Sequence, residues 1–398
     1  MAHTVTNIES FDHLPALDWA MNLPSLNFFN VGGGLQRTGL YAGASFGQQW
    51  MRFPLVFAAT GLPNAAALTY RAGLARIYYK PVFVPPTGAT RIVTLGINAV
   101  APSFAVTVEI DNLMQLSLNG VKAGVPTTLV LGNPLYYRIE VLNDATNGAE
   151  LRIDGATEVV IAGPTGHQNF VQLGDERVGA SGFHLYDDML CEAHRTDPAE
   201  IDFPGAGAVV RLLPTANGTD NAWVDGVGGN KWDSVDETTA DDDASYVHNN
   251  GAAAAQTFQL QNTGAVGVPG GEEVRALRVG GRVRNAVGSP GWVFARLRSG
   301  GTIAETTVTP VGLVTYLQRG AWVWQNDPDT GAPWTKAAVD AAEAGMRISN
   351  AWTGRLTLQE TLIEYGVPFP VPVGRAKINP PTLGPSGPSM LGAQTPGG

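Results

Sequence analysis

Cysteine is almost missing from this chain: Cys191 stands alone among 398 residues. A lone thiol excludes an intrachain disulfide and any cysteine-rich metal site. A nucleophilic thiolate needs electropositive surroundings, yet Glu192 follows Cys191, and Asp187 and Asp188 precede it. The position reads as a small buried apolar side chain. Charge is scarce as well, 15% of residues where about a quarter is usual. What charge there is leans acidic, with 25 Lys and Arg against 35 Asp and Glu and a net charge of −10. That balance argues against nucleic acid as the main partner, because phosphate binding needs a basic face. No run reaches the roughly 20 apolar residues of a membrane helix. The opening MAHTVTNIESFDHLP has neither the basic nor the apolar part of a secretory leader. No membrane span is therefore expected, and synthesis in a cytoplasm is. There is no nucleophile elbow, Walker A loop, His-Glu-x-x-His or dinucleotide fingerprint. The glycines of Val31–Leu35 join no strand to a helix, and the six histidines do not cluster.

Turn formers and alternation are plentiful. Gly (49) and Pro (27) are abundant, and apolar residues make up 44%. Few charges with many turn formers fit an all-β protein whose surface is largely covered by neighbours. In FAVTVEI (104–110), Val106, Val108 and Ile110 take one face and Ala105, Thr107 and Glu109 the other. RIVTLGI (91–97), LYYRIEVL (135–142), AELRI (149–153) and TEVVIA (157–162) read as further strands. Asn119-Gly120 and Asp154-Gly155 mark hairpins, since a type I′ turn needs positive φ at both central residues. Residues 195–208 read as a linker with Pro and Gly near its end. Beyond it, 209–213, 274–279, 281–285, 292–298, 302–308, 311–317 and 354–363 read as strands. One helix is expected, with Thr335 as N-cap, Lys336 to about Ala344 as its body and Gly345 as its C-cap. From Val367 the pattern VPFPVPVG forces extended backbone, and 379–398 is rich in Pro, Gly and Ser.

The order of segments from Phe183 to Asn350 resembles a family of tailed-bacteriophage virion proteins. The segments are FHLYDDMLCEAH, RLLPTANGTDNAW, WDSVDETTADDDASYVHN and PWTKAAVDAAEAGMRISN. In that family a laminin-G-like (concanavalin A-like) jelly roll precedes a second β-rich module. The resemblance covers about residues 30–350 and implies an all-β fold of two tandem sandwich modules with one short helix. The expected organisation is an N-terminal arm or lead-in strand (1–30), a laminin-G-like sandwich (31–194), the linker (195–208), a second sandwich (209–366) and a C-terminal tail (367–398). It implies a non-enzymatic particle component: a tail fibre, a spike or a head decoration protein. Partners would be other virion proteins and further copies of the chain, with a trimer as the expected closed form.

Three sets of residues are candidate sites. Asp241, Asp242 and Asp243 follow Asp236 and Glu237, a density of hard oxygens that suits Ca²⁺, though the EF-hand spacing is absent. The alternative is a solvated loop held by Asx turns. Asp187-Asp188 is a weaker version of the same arrangement. Trp322 and Trp324 lie two apart on one strand face, where they either stack on a host glycan or pack in a core or interface. Pro368, Pro370, Pro372, Pro380 and Pro381 are the expected assembly contacts, because a preformed extended segment can lie in a neighbour's groove. Four arginines, at 275, 278, 282 and 284, share one strand-like stretch and are either solvated or paired across strands. A glycan hydrolase is the remaining alternative to a structural or glycan-adsorption role. Glu109 and Asp111 resemble half of a laminarinase-type motif, but Met114 stands where the second glutamate belongs. Retaining hydrolysis needs two carboxyl groups about 5 Å apart.

Overall fold

The computed structural model describes residues 5–9, 29–31, 42–46, 50–54, 70–83, 88–97, 103–131, 135–175, 177, 180, 182–194, 203–237, 241–249, 253–287, 291–306, 309–311, 317–348 and 353–367. Strands dominate. In chain order the first thirteen are β1 (Val5–Glu9), β2 (Phe29–Val31), β3 (Ala42–Phe46), β4 (Trp50–Pro54), β5 (Ala72–Phe83), β6 (Ala89–Ile97), β7 (Ser103–Asp111), β8 (Leu116–Leu118), β9 (Tyr137–Asp144), β10 (Gly148–Ile153), β11 (Ala156–Ala162), β12 (Phe170–Gly174) and β13 (Phe183–His194). They form an eight-stranded sheet, β11-β10-β9-β5-β13-β3-β2 with β1 also paired to β13, and a five-stranded sheet, β4-β12-β6-β7-β8. The alternating faces meet in one core, where Ile77, Ile139, Val141 and Leu151 of the larger sheet pack against Val106, Val108, Ile110 and Leu95 of the smaller. Asn119 and Gly120 have φ of 48° and 78°, and Asp154 and Gly155 have 52° and 88°, so both expected hairpins turn through the left-handed region.

The second set comprises β14 (Gly207–Leu212), β15 (Pro214–Asn221), β16 (Val224–Asp225), β17 (Val247–His248), β18 (Ala254–Leu260), β19 (Glu273–Val287), β20 (Gly291–Ser299), β21 (Thr302–Glu305), β22 (Thr309–Val311), β23 (Leu317–Trp324), β24 (Glu343–Ile348) and β25 (Thr353–Gly366). One six-stranded sheet runs β16-β17-β25-β19-β23 with β14 also on β25, and the other runs β15-β18-β24-β20-β21 with β22 on β20. Their shared core holds Trp223, Phe258, Leu277, Val293, Trp334, Met346 and Ile363.

Two expectations are corrected here. Residues 274–279 and 281–285 are not two strands but parts of β19, which passes Gly280-Gly281 in register with β25, shifts register there only against β23, and pairs with β25 along nearly its whole length. The helix α1 is short, Lys336–Asp340, with Thr335 capping the Ala338 amide and Ala341 as C-cap. Gly345 is not a helix cap. It lies inside β24 opposite Arg296, because Ala344, Met346 and Ile348 alternate into the core at strand period. Period two with a core to fill outweighs the helix preference of the alanines.

The two sandwiches meet through the outer face of the eight-stranded sheet and that of the sheet holding β14, β19 and β25. Leu74, Leu142 and Leu190 of the first contact Phe203, Val209 and Leu362 of the second in a small apolar cluster. Beside it, Arg76 donates to Glu364 at 2.7 Å and Arg275 donates to the same oxygen at 3.0 Å, all three side chains being sealed from solvent. Burial works to discharge Arg76, yet Glu364 prevails and holds the guanidinium above its ordinary value. Arg275 is pushed down by burial, with Glu364 opposing. Backbone amides complete the join: Gly205 N donates to Glu140, Gly207 N to the Tyr78 hydroxyl, and Val209 N to Asp188 at 2.8 Å. Gly207 is required there, because a Cβ would come 2.4 Å from both Arg76 Nη1 and Glu364 Oε1.

The magnitudes separate two roles. Six large apolar side chains at roughly 2 kcal/mol each supply the adhesion. A buried ion pair is close to neutral in net stability, but removing one partner costs about 3–5 kcal/mol. Glu364→Ala should therefore lower the unfolding free energy by about 3–5 kcal/mol in urea melts. A loss below about 1 kcal/mol would mean that water reaches the two arginines and that the join is not sealed.

Candidate functional site: an arginine row and its acidic loop

Arg278, Arg282 and Arg284 alternate along β19 with Val279 and Val283, whose side chains fill the second core. The arginines therefore line the opposite face, and Arg275 reaches it past the register shift at 274–276. All four are paired: Arg275 and Arg278 across strands to β25, the second of the two expected arrangements, and Arg282 and Arg284 to the acidic loop. Arg275 meets Glu364 and Arg278 meets Glu360 at 3.3 Å, both under the first sandwich. Arg282 meets Asp242 at 2.7 Å and Arg284 meets Asp243 at 2.6 Å, both beyond its cover. Arg284 lies directly opposite Arg355 of β25. Like charges in that position repel unless an anion lies between them. Asp243 is that anion, accepting from Arg355 at 2.5 Å as well. Arg355 in turn stacks over Tyr246, 4.2 Å from the ring centre.

Asp241 faces a different set. Its Oδ1 accepts from Thr357 at 3.2 Å, and the Ser245 hydroxyl lies 2.9 Å from both its oxygens and also against Glu237 Oε1. A hydroxyl carries one proton, so Ser245 donates to Asp241 or to Glu237 but not to both, while Asp241 Oδ1 also accepts from the Ser245 amide at 3.2 Å. Glu237 is the less exposed of the two carboxyl groups. Burial pushes it up to about 7, with Ser245 and its own backbone opposing and Asp241 and Asp236 adding to the rise. The carboxylates of 241–243 thus do not converge on one point. Among the described residues no group of three or more metal-ligating side chains has a metal's geometry. Of the three aspartates proposed for Ca²⁺, Asp242 and Asp243 face arginines and Asp241 faces the hydroxyls of Thr357 and Ser245.

The other expected residues are placed as follows. Trp322 and Trp324 lie on β23 opposite Val279 and Leu277. Trp324 is half-buried against the second core and its carbonyl accepts from Trp334 Nε1 at 2.9 Å, while Trp322 is 36% exposed. They do not present two open rings to a sugar. Pro368, Pro370, Pro372, Pro380 and Pro381 lie outside the described residues. Glu109 is bound by Arg177 at 2.9 Å and Arg91 at 3.7 Å, and Asp111 by Lys122 and the amides of Leu113 and Gln115. Asp187 and Asp188 are buried at a bulge in β13, where Asp188 holds the second sandwich. Cys191 is buried in the first core, and burial pushes its thiol far up. Burial holds His184 down at about 4, its Nδ1 lies 2.8 Å from the Tyr79 hydroxyl, and its Nε2 lies so close to Gly182 that a Cβ there would come within 2.4 Å of it.

No protein-family model matches the chain, and no curated protein does. Among solved structures, the Trypanosoma rangeli sialidase in complex with the inhibitor DANA aligns at 13% identity and a TM-score of 0.30, over 42% of this chain and 27% of that one. Cellulose induced protein, Cip1, aligns at 9% identity and 0.33, over 44% of this chain and 91% of that one. The chain thus spans just over a quarter of the sialidase's length, and at these scores the likeness carries no functional argument.

Two measurements follow from the loop. Glu237 has a folded value near 7 against an ordinary 4.5. Between these values the unfolded chain ionises while the folded one keeps its proton, so this position loses stability as pH rises from 4.5 to 7 and stays at the lower level above. Glu237→Gln should remove that slope and melt higher than the parent at pH 8. Equal melting at pH 8 would count against a protonated Glu237. Millimolar Ca²⁺ should leave the melting temperature unchanged, and a rise above about 2 °C would show that the loop takes the ion after all.

Proposed function

We propose that this chain is a structural component of a tailed-bacteriophage particle, a fibre, spike or decoration protein that acts through protein-protein contacts and carries out no reaction. The observation that supports this reading is where its charges go. The carboxylates of the acidic stretch and the arginines of β19 are used as struts against each other. The acidic pair on β7 is likewise closed by Arg91, Arg177 and Lys122. A catalytic carboxyl pair must face a substrate, whereas these face arginine and lysine. The segment order from Phe183 to Asn350 supplies the viral context. No helix among the described residues is long and apolar enough to cross a membrane.

Quantitative mass spectrometry of purified virions, split into head and tail fractions, tests the assignment. High copy in heads fits a decoration or spike protein, and low copy in tails fits a fibre or tip component. Absence from both fractions would overturn it. The tail should act as an anchor. Deleting 368–398 keeps Val367, whose carbonyl accepts from Arg275 at 3.0 Å, so the sandwiches should fold while incorporation into particles is lost. Normal incorporation of the truncated chain would remove the anchoring role.

A further inference from the structure

The flank of the first sandwich between β8 and β11 is almost free of charge. Residues 112–137 contain one charged side chain, Lys122, and it is closed by Asp111. Six of the fifteen exposed large apolar side chains among the described residues fall within this stretch. Val125 is 92% exposed, Leu135 70%, Leu113 59% and Val130 58%. Exposed apolar residues are ordinary when scattered and informative when contiguous.

Backbone bonds make these contiguous. Leu129 N donates to Met114 O at 2.8 Å, which sets Val130 beside Leu113. Thr127 donates to Glu158 of β11 through both its amide and its hydroxyl, at 2.7 Å each, which brings the Val125 turn to the sheet edge. Val130 N donates to the Tyr137 hydroxyl at 2.8 Å, which ties the stretch to the start of β9. β11 ends the eight-stranded sheet. Its sequence, ATEVVIA, has neither the proline nor the lysine that usually guards an open edge, and Val160 on it is 45% exposed.

We infer that this flank, the 112–131 stretch with Leu135 and the β11 edge, is a self-association surface whose partner is a second copy of this chain. The charge distribution selects that occupant. With a net charge of −10, copies of the chain repel one another overall, and a contact that brings no unpaired charge together adds least to that repulsion. An apolar face whose few charges are already paired is self-complementary, as a symmetric contact requires, and β11, with no strand on its outer edge among the described residues, lets two sheets join by strand pairing. The inference deepens the assembly reading and names one of its partners, but its test is independent of any virion.

The test is the mass of the full-length chain by light scattering and sedimentation across a concentration series. Wild type should reach the mass of two or more chains. Val125→Glu with Leu135→Glu, both at exposed positions, should leave the circular dichroism and melting temperature unchanged and give the mass of one chain. Val160→Lys should weaken association by guarding the edge. Val227→Glu, an exposed apolar position on the second sandwich, should leave the mass as in wild type. A wild type that stays at one chain throughout the series would overturn the inference. So would association that survives the double variant. Head or tail enrichment in virions would stand in either case.

Discussion

One carboxylate, Glu364, sits between an arginine from each sandwich, and the arrangement of the molecule follows from that. Arg76 and Glu364 are 288 residues apart in sequence. Neither can be buried unless the other arrives in register, and Arg275 must join them. The apolar cluster beside them would tolerate sliding, since area burial has no direction. The ion triad would not tolerate it, because a shift of one residue would leave a charge sealed and unpaired. Adhesion and alignment thus reside in different residues of one join. Gly207 is where the two demands meet, since the backbone there passes so close to the pair that no side chain fits.

The same strand uses its arginines in two ways. The half of β19 under the first sandwich holds sealed pairs, whose loss is costly. The half beyond it holds pairs that water reaches, with Asp242 and Asp243 about half exposed. Exposed pairs contribute about 0–1 kcal/mol each and weaken with salt. The join is therefore firm and the acidic loop is lightly held, although both rest on arginine and carboxylate. Glu237, pushed up to about 7 by burial, adds a pH-dependent element to the lighter half.

Legibility from sequence followed burial. Strands with one wet face, such as β7 and β11, show alternation and could be read directly. β5 lies near the centre of its sheet and escaped notice, because Leu74, Arg76 and Tyr78 are buried by the second sandwich while Ala75, Ile77 and Tyr79 are buried by the core. With both faces covered the period vanishes. Gly280-Gly281 resembled a turn because the close approach of Leu356 and Met346 that calls for Gly281 is a tertiary fact. The acidic cluster of the site was legible. Its counter-charges were not, because Arg282 is 40 residues from Asp242 and Arg355 is 112 from Asp243. An acidic run in sequence shows its own charges but not the arginines that the fold brings to it.

Arg275 also determines how the molecule would bear tension. Its guanidinium holds the carbonyls of Pro204 and Ala206, where the chain arrives from the first sandwich, and that of Val367, where it leaves the second. A pull on the segment beyond Val367 runs along β25, which is bonded to β14 and β17 on one side and to β19 on the other. Ladder bonds lie across the strand, so such a pull loads many of them at once in shear instead of peeling them singly. Part of the load passes through Arg275 to Glu364 and Arg76, and so into the first sandwich. A chain tethered by its tail would resist extraction as one body.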